Sequence, residues 1–286
     1  MKHSTVTWQN ESGRTVFAQV WRPEATPQDV VVLVHGLGEH SGRYQAWAER
    51  FLAQGIAVYA LDMHGHGRTT GRRGHTESFG YIYDDIQHLL DASASDYPAA
   101  RRHLYGHSMG GAVCLGFAAF RSNHTNVPAL TSLITTGTAI KPGFEPPAWK
   151  LKLAAVLDKF VPSLALGNEL DPNFVSSDPN TVAAYKSDPL VHDRISVRWY
   201  NEWVRAVEGL RSHSGKIKMP VFMLHGTADR ATSPKAAEEM AKVLKAKFQG
   251  WPGAFHEIHH EPCQNDVFTA VMGWLQGPGG CGGVGV

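Results

Sequence analysis

Ser108, in Gly106-His107-Ser108-Met109-Gly110 with Gly111 behind it, is the residue of this chain best placed to act as a nucleophile. Its G-x-S-x-G pattern lies between a predicted strand, Arg102–Tyr105, and a small, apolar, helix-forming run, Gly110–Phe120. That context fits a nucleophile elbow, a tight turn that strains the serine backbone and pushes its Oγ towards substrate. Gly106 and Gly110 suit such a turn, because a Cβ at either position would crowd the serine. The competing reading is a glycine-rich turn that holds an ordinary serine.

A nucleophilic serine needs a histidine base, and the base needs an acid to orient it. The acid candidate is Asp229, in His225-Gly226-Thr227-Ala228-Asp229-Arg230, directly after the apolar segment Val221–Leu224. The base candidate is His256, in Gly253-Ala254-Phe255-His256, directly after Phe248–Trp251. The order Ser, Asp, His, each beyond the end of a predicted strand, is the order of an α/β-hydrolase triad. An oxyanion hole takes the N–H after the nucleophile and a second one from an earlier loop. Met109 supplies the first, and Leu37, in His35-Gly36-Leu37-Gly38, is positioned for the second. The flanking glycines let that loop present its amide, or simply permit a tight turn.

The elements that must position these groups alternate along the chain. Ser4–Trp8 and Thr15–Trp21 read as an antiparallel edge hairpin. Val30–Val34 and Ile56–Leu61 read as strands buried on both faces, with predicted helices at Arg43–Gln54 and Phe79–Ser93. Leu130–Thr136 and Pro220–Leu224 are further strands; Pro234–Lys247 and Asp266–Leu275 are the last helices. The pattern predicts an α/β fold with a mostly parallel, doubly wound sheet. It stops between about 139 and 210, where seven prolines punctuate short helical segments. The reading is a core in two halves, 1–138 and 211–276, an inserted helical cap at 139–210, and a flexible Gly-rich tail at 277–286.

The run from His35 to Tyr44, Asp62-Met63-His64-Gly65-His66-Gly67-Arg68, the Ser108 motif, Tyr185-Lys186-Ser187-Asp188-Pro189-Leu190, and the segments around Asp229 and His256 stand out together. They strongly resemble the monoacylglycerol lipase and lysophospholipase branch of the α/β-hydrolases. The resemblance implies an eight-stranded core with the cap over the site. It makes Ser108, Asp229 and His256 the triad and Leu37 and Met109 the oxyanion donors. It places Glu39, Arg43, Tyr185 and His259 near the glycerol end of the site. Each of these four also has a structural alternative. Glu39 and Arg43 could form a local ion pair, Tyr185 could be a packed cap residue, and His259 a surface loop residue. Acyl preference does not follow from the cap sequence, so a lysophospholipase or a general carboxylesterase remains the alternative activity.

Two other motifs compete. His256-Glu257-Ile258-His259-His260 matches H-E-x-x-H, but Pro252-Gly253 before it and Pro262 after it leave little room for the helix a zinc site needs. Gly36, Gly38 and Gly42, with Asp62 on the next strand, imitate a dinucleotide fingerprint with its third glycine one residue late. Neither a metal nor a cofactor is expected. A non-catalytic protein on the same fold is the remaining different class, and such a protein would have less need of all three triad members.

Composition narrows the rest. A net charge of +1 over 286 residues gives no reason to expect nucleic acid. Three cysteines with no C-x-x-C pair suit a reducing compartment, and no apolar run is long enough to span a bilayer. The expected location is cytoplasmic. In the cap, Trp149, Leu153, Val156, Leu157, Phe160, Val161 and Leu164 make an apolar stripe beside Lys150, Lys152 and Lys159. Most of it is expected to pack on the core, with the remainder lining an acyl tunnel or touching a membrane surface transiently. A lipid ester is the expected substrate; the oligomeric state is not legible.

Overall fold

Val30, Val32 and Val34 point to one side of their strand and Val31 and Leu33 to the other, and all five are fully buried. Side chains alternate across a strand, so a run apolar at every position needs cover on both faces. This strand, β3 (Asp29–Val34), sits inside an eight-stranded sheet of a computed structural model that describes residues 2–144 and 148–277. The expected tail beyond 277 lies outside the described residues.

The other sheet strands are β1 (Lys2–Gln9), β2 (Thr15–Arg22), β4 (Ala57–Leu61), β5 (Arg101–His107), β6 (Ser132–Thr136), β9 (Val221–Gly226) and β10 (Lys247–Trp251). A small separate pair is formed by β7 (Ala165–Gly167) and β8 (Arg194–Ser196). The sheet order is β1-β2-β4-β3-β5-β6-β9-β10. β1 with β2 and β2 with β4 are antiparallel, and every later pairing is parallel. This is the mostly parallel sheet with an edge hairpin that the sequence predicts. The chain moves from β3 outward to β4 and then returns to β5 on the other side. The loops after β3 and β5 therefore diverge, which opens a crevice at the carboxyl ends of the strands.

α1 (Gln45–Ala53) and α8 (Gln264–Gln276) cover the face that carries Val31 and Leu33. α2 (Phe79–Asp96), α3 (Met109–Phe120) and α7 (Pro234–Leu244) cover the other. α3 is buried all round from Met109 to Ala119, as its small, apolar sequence demands. Predicted boundaries shift where local geometry intervenes. Lys245 takes a left-handed conformation (φ 54°) and stops α7 there, so Lys247 opens β10 instead of ending the helix. The predicted start of α1 is a separate 3-10 turn, Ser41–Tyr44.

Between β6 and β9 lie α4 (Ala148–Phe160), α5 (Pro179–Ser187) and α6 (Val197–His213). α6 is 17 residues long, so the expectation of only short helices in this insertion is corrected. None of the prolines falls within it, and Pro179 occupies the first turn of α5, where a missing N–H costs nothing. Residue 210 lies inside α6, whose Trp199, Trp203, Ala206 and Leu210 are buried. The α4 stripe also departs from expectation. Trp149, Leu153, Val156, Phe160 and Val161 are 43–77% exposed. α4 packs against α6 and roofs a cavity, so most of its apolar stripe is not covered by the sheet.

Candidate active site

The β5–α3 turn strains Ser108. Its φ is 52° and its ψ −118°, and only Glu169 and Lys245 share a positive φ among the described non-glycine residues. A Cβ on Gly106 would lie 2.5 Å from the Gly110 carbonyl, and one on Gly110 would lie 2.3 Å from the carbonyls of His35 and Val34. Only glycines allow α3 to start this close to β3. Ser108 N–H donates to the Thr136 carbonyl at 2.8 Å, and its own carbonyl accepts from Ala139 N–H at 3.0 Å. These bonds hold a conformation that costs of order 1–3 kcal/mol.

Beyond β9 and β10, Asp229 and His256 meet. His256 Nδ1 lies 2.7 Å from Asp229 Oδ2, and both side chains are buried. Asp229 Oδ1 accepts from the N–H groups of Ala231 and Thr232 at 2.8 and 3.1 Å. Burial alone would push His256 down; the Asp229 carboxylate, with Glu257 and Glu39 further off, raises it above its ordinary value of 6.5. Burial would likewise raise Asp229, but His256 and His225 hold it well below the usual carboxylate range. Ser108 and His256 line the same cavity. Among the described residues no hydrogen bond joins Ser108 Oγ to the imidazole, a contact that commonly tightens only with substrate bound.

Met109 opens α3, so its N–H has no acceptor within the helix. The Leu37 N–H also has no acceptor among the described residues. Leu37 follows Gly36, on which a Cβ would lie 3.1 Å from the Ser108 Cβ. His35, which motif reading did not single out as a site residue, braces this loop. Its Nδ1 lies 2.7 Å from the Gly36 carbonyl, and its Nε2 accepts from Met63 N–H at 2.9 Å.

Glu39 is a brace as well as a cavity residue. Its Oε1 accepts from Gly36 N–H at 2.6 Å and from the Tyr44 hydroxyl at 2.7 Å; its Oε2 accepts from Arg43 at 2.6 Å. Arg43 also makes a two-pronged pair with Glu257, at 2.6 and 2.7 Å, and lies over the Tyr185 ring at 4.7 Å. Burial opposes both glutamates' charges, but Arg43 holds Glu39 low and Glu257 well below its ordinary value. Glu39 and Tyr185 line the cavity; Arg43 and His259 do not. His259 is buried between Tyr44 and His107, with ring centroids 4.9 and 4.7 Å away, so it is not a surface loop residue. His107, desolvated and beside His256, is pushed down to about 3 and stays neutral.

The competing motifs resolve locally. Residues 256–261 form no helix, His256 faces Asp229, and Glu257 is paired with Arg43. Ligand atoms of Glu257, His259 and His260 lie within 4.8 Å of one another, but a cation there would face the Arg43 guanidinium. Asp62 accepts from the N–H groups of Ser41 and Arg68 at 2.7 and 2.8 Å, which ties two loops together and occupies the carboxylate a ribose would need.

The cavity above Ser108 measures about 640 Å³. Its lining includes Ser108, His256, Glu39 and Glu257, and most of the rest of its wall is apolar, including Leu153, Leu157, Val175 and Ile195.

A strained serine at a strand-to-helix turn beside the switch point of a mostly parallel sheet, faced by an Asp–His pair from two later strand ends, defines an α/β-hydrolase. Residues 25–263 match the family described as serine aminopeptidase, S33 (Hydrolase_4), and the chain belongs to that family. It is 32% identical to a monoacylglycerol lipase of Mycolicibacterium smegmatis, over 92% of this chain and 93% of the relative. It is 31% identical to a monoglyceride lipase of Homo sapiens, over 93% and 88%. Among solved structures, a monoacylglycerol lipase of Paleococcus ferrophilus superposes with a TM-score of 0.82 at 33% identity, covering 91% of this chain and 98% of that one. The resemblance read from the motifs is borne out.

Proposed function

We propose that the protein hydrolyses monoacylglycerols to glycerol and fatty acid through an acyl-enzyme on Ser108. The observation that carries this reading is the 2.7 Å Asp229–His256 contact, facing the cavity into which the elbow presents Ser108. His256 Nε2 takes the proton from Ser108 Oγ as the Oγ–carbon bond forms at the ester carbonyl. Asp229 holds the imidazole tautomer and offsets the cation. The Leu37 and Met109 amides stabilise the oxyanion, where one donor is worth about 3–4 kcal/mol. The ester C–O bond then breaks, His256 protonates the leaving alcohol, and water clears the acyl group through the same base.

The apolar walls of the cavity favour an acyl chain, and the similar full-length relatives named as monoacylglycerol lipases support glycerol as the alcohol. The cap adds a reason for lipid. Trp149, Leu153 and Leu166 both line the cavity and stand 45–63% exposed, so its rim continues into an apolar surface with Val156 and Phe160. Such a rim would rest on a bilayer while substrate enters. Among the described residues no helix is long and apolar enough to cross a membrane, and a cytoplasmic enzyme in transient contact with lipid is our reading. Steady-state rates on p-nitrophenyl esters and 1-monoacylglycerols of graded chain length test it. An optimum at medium or long chains with glycerol preferred is expected; a short-chain optimum without that preference would replace it with a general carboxylesterase.

A further inference from the structure

Asp229 Oδ2 faces two histidines, not one. Besides His256 Nδ1 at 2.7 Å, His225 Nε2 lies 2.9 Å away, on the penultimate residue of β9. The His225 side chain is 1% exposed. Its Nε2 faces a carboxylate and so carries the ring proton. Its other nitrogen, Nδ1, is buried with no hydrogen-bond partner. A buried, unsatisfied acceptor is a cost that a Leu or Met at this position would avoid. The contact that offsets it is the bond to Asp229. Thr232 Oγ1 completes the cluster, 2.9 Å from Oδ2 and 3.2 Å from His225 Nε2.

We infer that His225 is a positioning residue for the reaction proposed above, its Nε2–H holding the Asp229 carboxylate in line with His256 and sharing the charge on Oδ2. The inference rests on that reading of Ser108, Asp229 and His256. Two backbone donors fix Oδ1, so on Oδ2 only His225 and the Thr232 hydroxyl set the direction in which that oxygen faces His256. Sharing also has a direction. Each donor on Oδ2 draws charge away from the His256 imidazolium, so removing His225 strengthens the remaining Asp229–His256 pair and makes His256 more basic. The other ionisable groups facing His256 are His107 from β5, Glu257 from its own loop and Glu39 from the loop after β3. α7, packed on β9, turns the apolar Ala237 and Met240 inward, so no helix charge competes.

The test compares H225L, H225N and H225Q with the unaltered enzyme on a p-nitrophenyl ester across pH. Ser108 labelling by a fluorophosphonate and folding by circular dichroism are measured in parallel. Gln places its amide where His225 Nε2 stands, whereas the Asn amide is too short to reach Oδ2. H225L and H225N are expected to lose about tenfold in kcat with KM within twofold. Their acid-limb midpoint is expected to rise by about half a pH unit, with H225Q restoring it. The inference is overturned if folded H225L or H225N keeps the unaltered midpoint and kcat, or if H225Q is as slow and as shifted as H225L and H225N. If H225L does not fold, H225N against H225Q decides. Failure of the unaltered protein to label at Ser108 would instead overturn the reading beneath.

Discussion

Arg43 forms a two-pronged ion pair with Glu257, 214 positions downstream, at 2.6 and 2.7 Å. Arg43 follows the loop that carries Leu37, and Glu257 directly follows His256. One guanidinium thus fastens the oxyanion side of the site to the base side, with Glu39 as its third contact.

Breaking this pair should cost stability. Side chains of Arg43 and Glu257 are 8% and 3% exposed, so solvent screening is small. R43M strands two buried carboxylates and is expected to destabilise the fold by about 3–5 kcal/mol in urea titration. A loss under 1 kcal/mol would mean that water already reaches the pair.

The same cluster sets acid sensitivity. Glu39 and Glu257 are held below their ordinary value of 4.5, so the folded state binds fewer protons than the unfolded one. Their stabilisation is present above that value and is lost as pH falls through the lowered folded values. Unfolding midpoints should therefore fall below pH 4.5 more steeply in the unaltered protein than in E257Q. Parallel curves would contradict this.

Activity should have its acid limb above pH 6.5. His256 acts as a base only when neutral, and its neighbours raise its value, so activity rises with pH through a midpoint higher than that of a free histidine. A kcat/KM profile with a midpoint below 6.5 would show that desolvation outweighs Asp229.

Two possible roles of Glu39 can be told apart by kinetics. As the brace of Gly36 N–H, its loss should lower kcat about tenfold on p-nitrophenyl esters and monoacylglycerols alike. As a glycerol contact, its loss should raise KM for monoacylglycerols only. E39Q is expected to show the first pattern, because both Oε atoms are already bonded to groups of the chain.

Much of this arrangement was legible in sequence because it is local. The elbow is five residues with two obligatory glycines, and Asp229 follows a strand that its own apolar run announces. Val30–Val34 revealed its burial on both faces. Contacts between distant segments gave no such signal. Nothing near Arg43 points to Glu257, and His225 reads as one of 16 histidines until β9 sets it beside Asp229. The α4 stripe misled for a related reason. Helical spacing shows that a face is apolar, but not whether sheet, cavity or solvent lies against it.

The central claim is that Ser108 attacks the ester. Its most direct test is fluorophosphonate labelling followed by peptide mass mapping, with hydrolysis of a 1-monoacylglycerol measured for the unaltered enzyme and S108A. The expected result is one labelled peptide carrying Ser108, with S108A folded, unlabelled and slower by at least a thousandfold. A folded S108A that retains near-full hydrolysis would contradict the account.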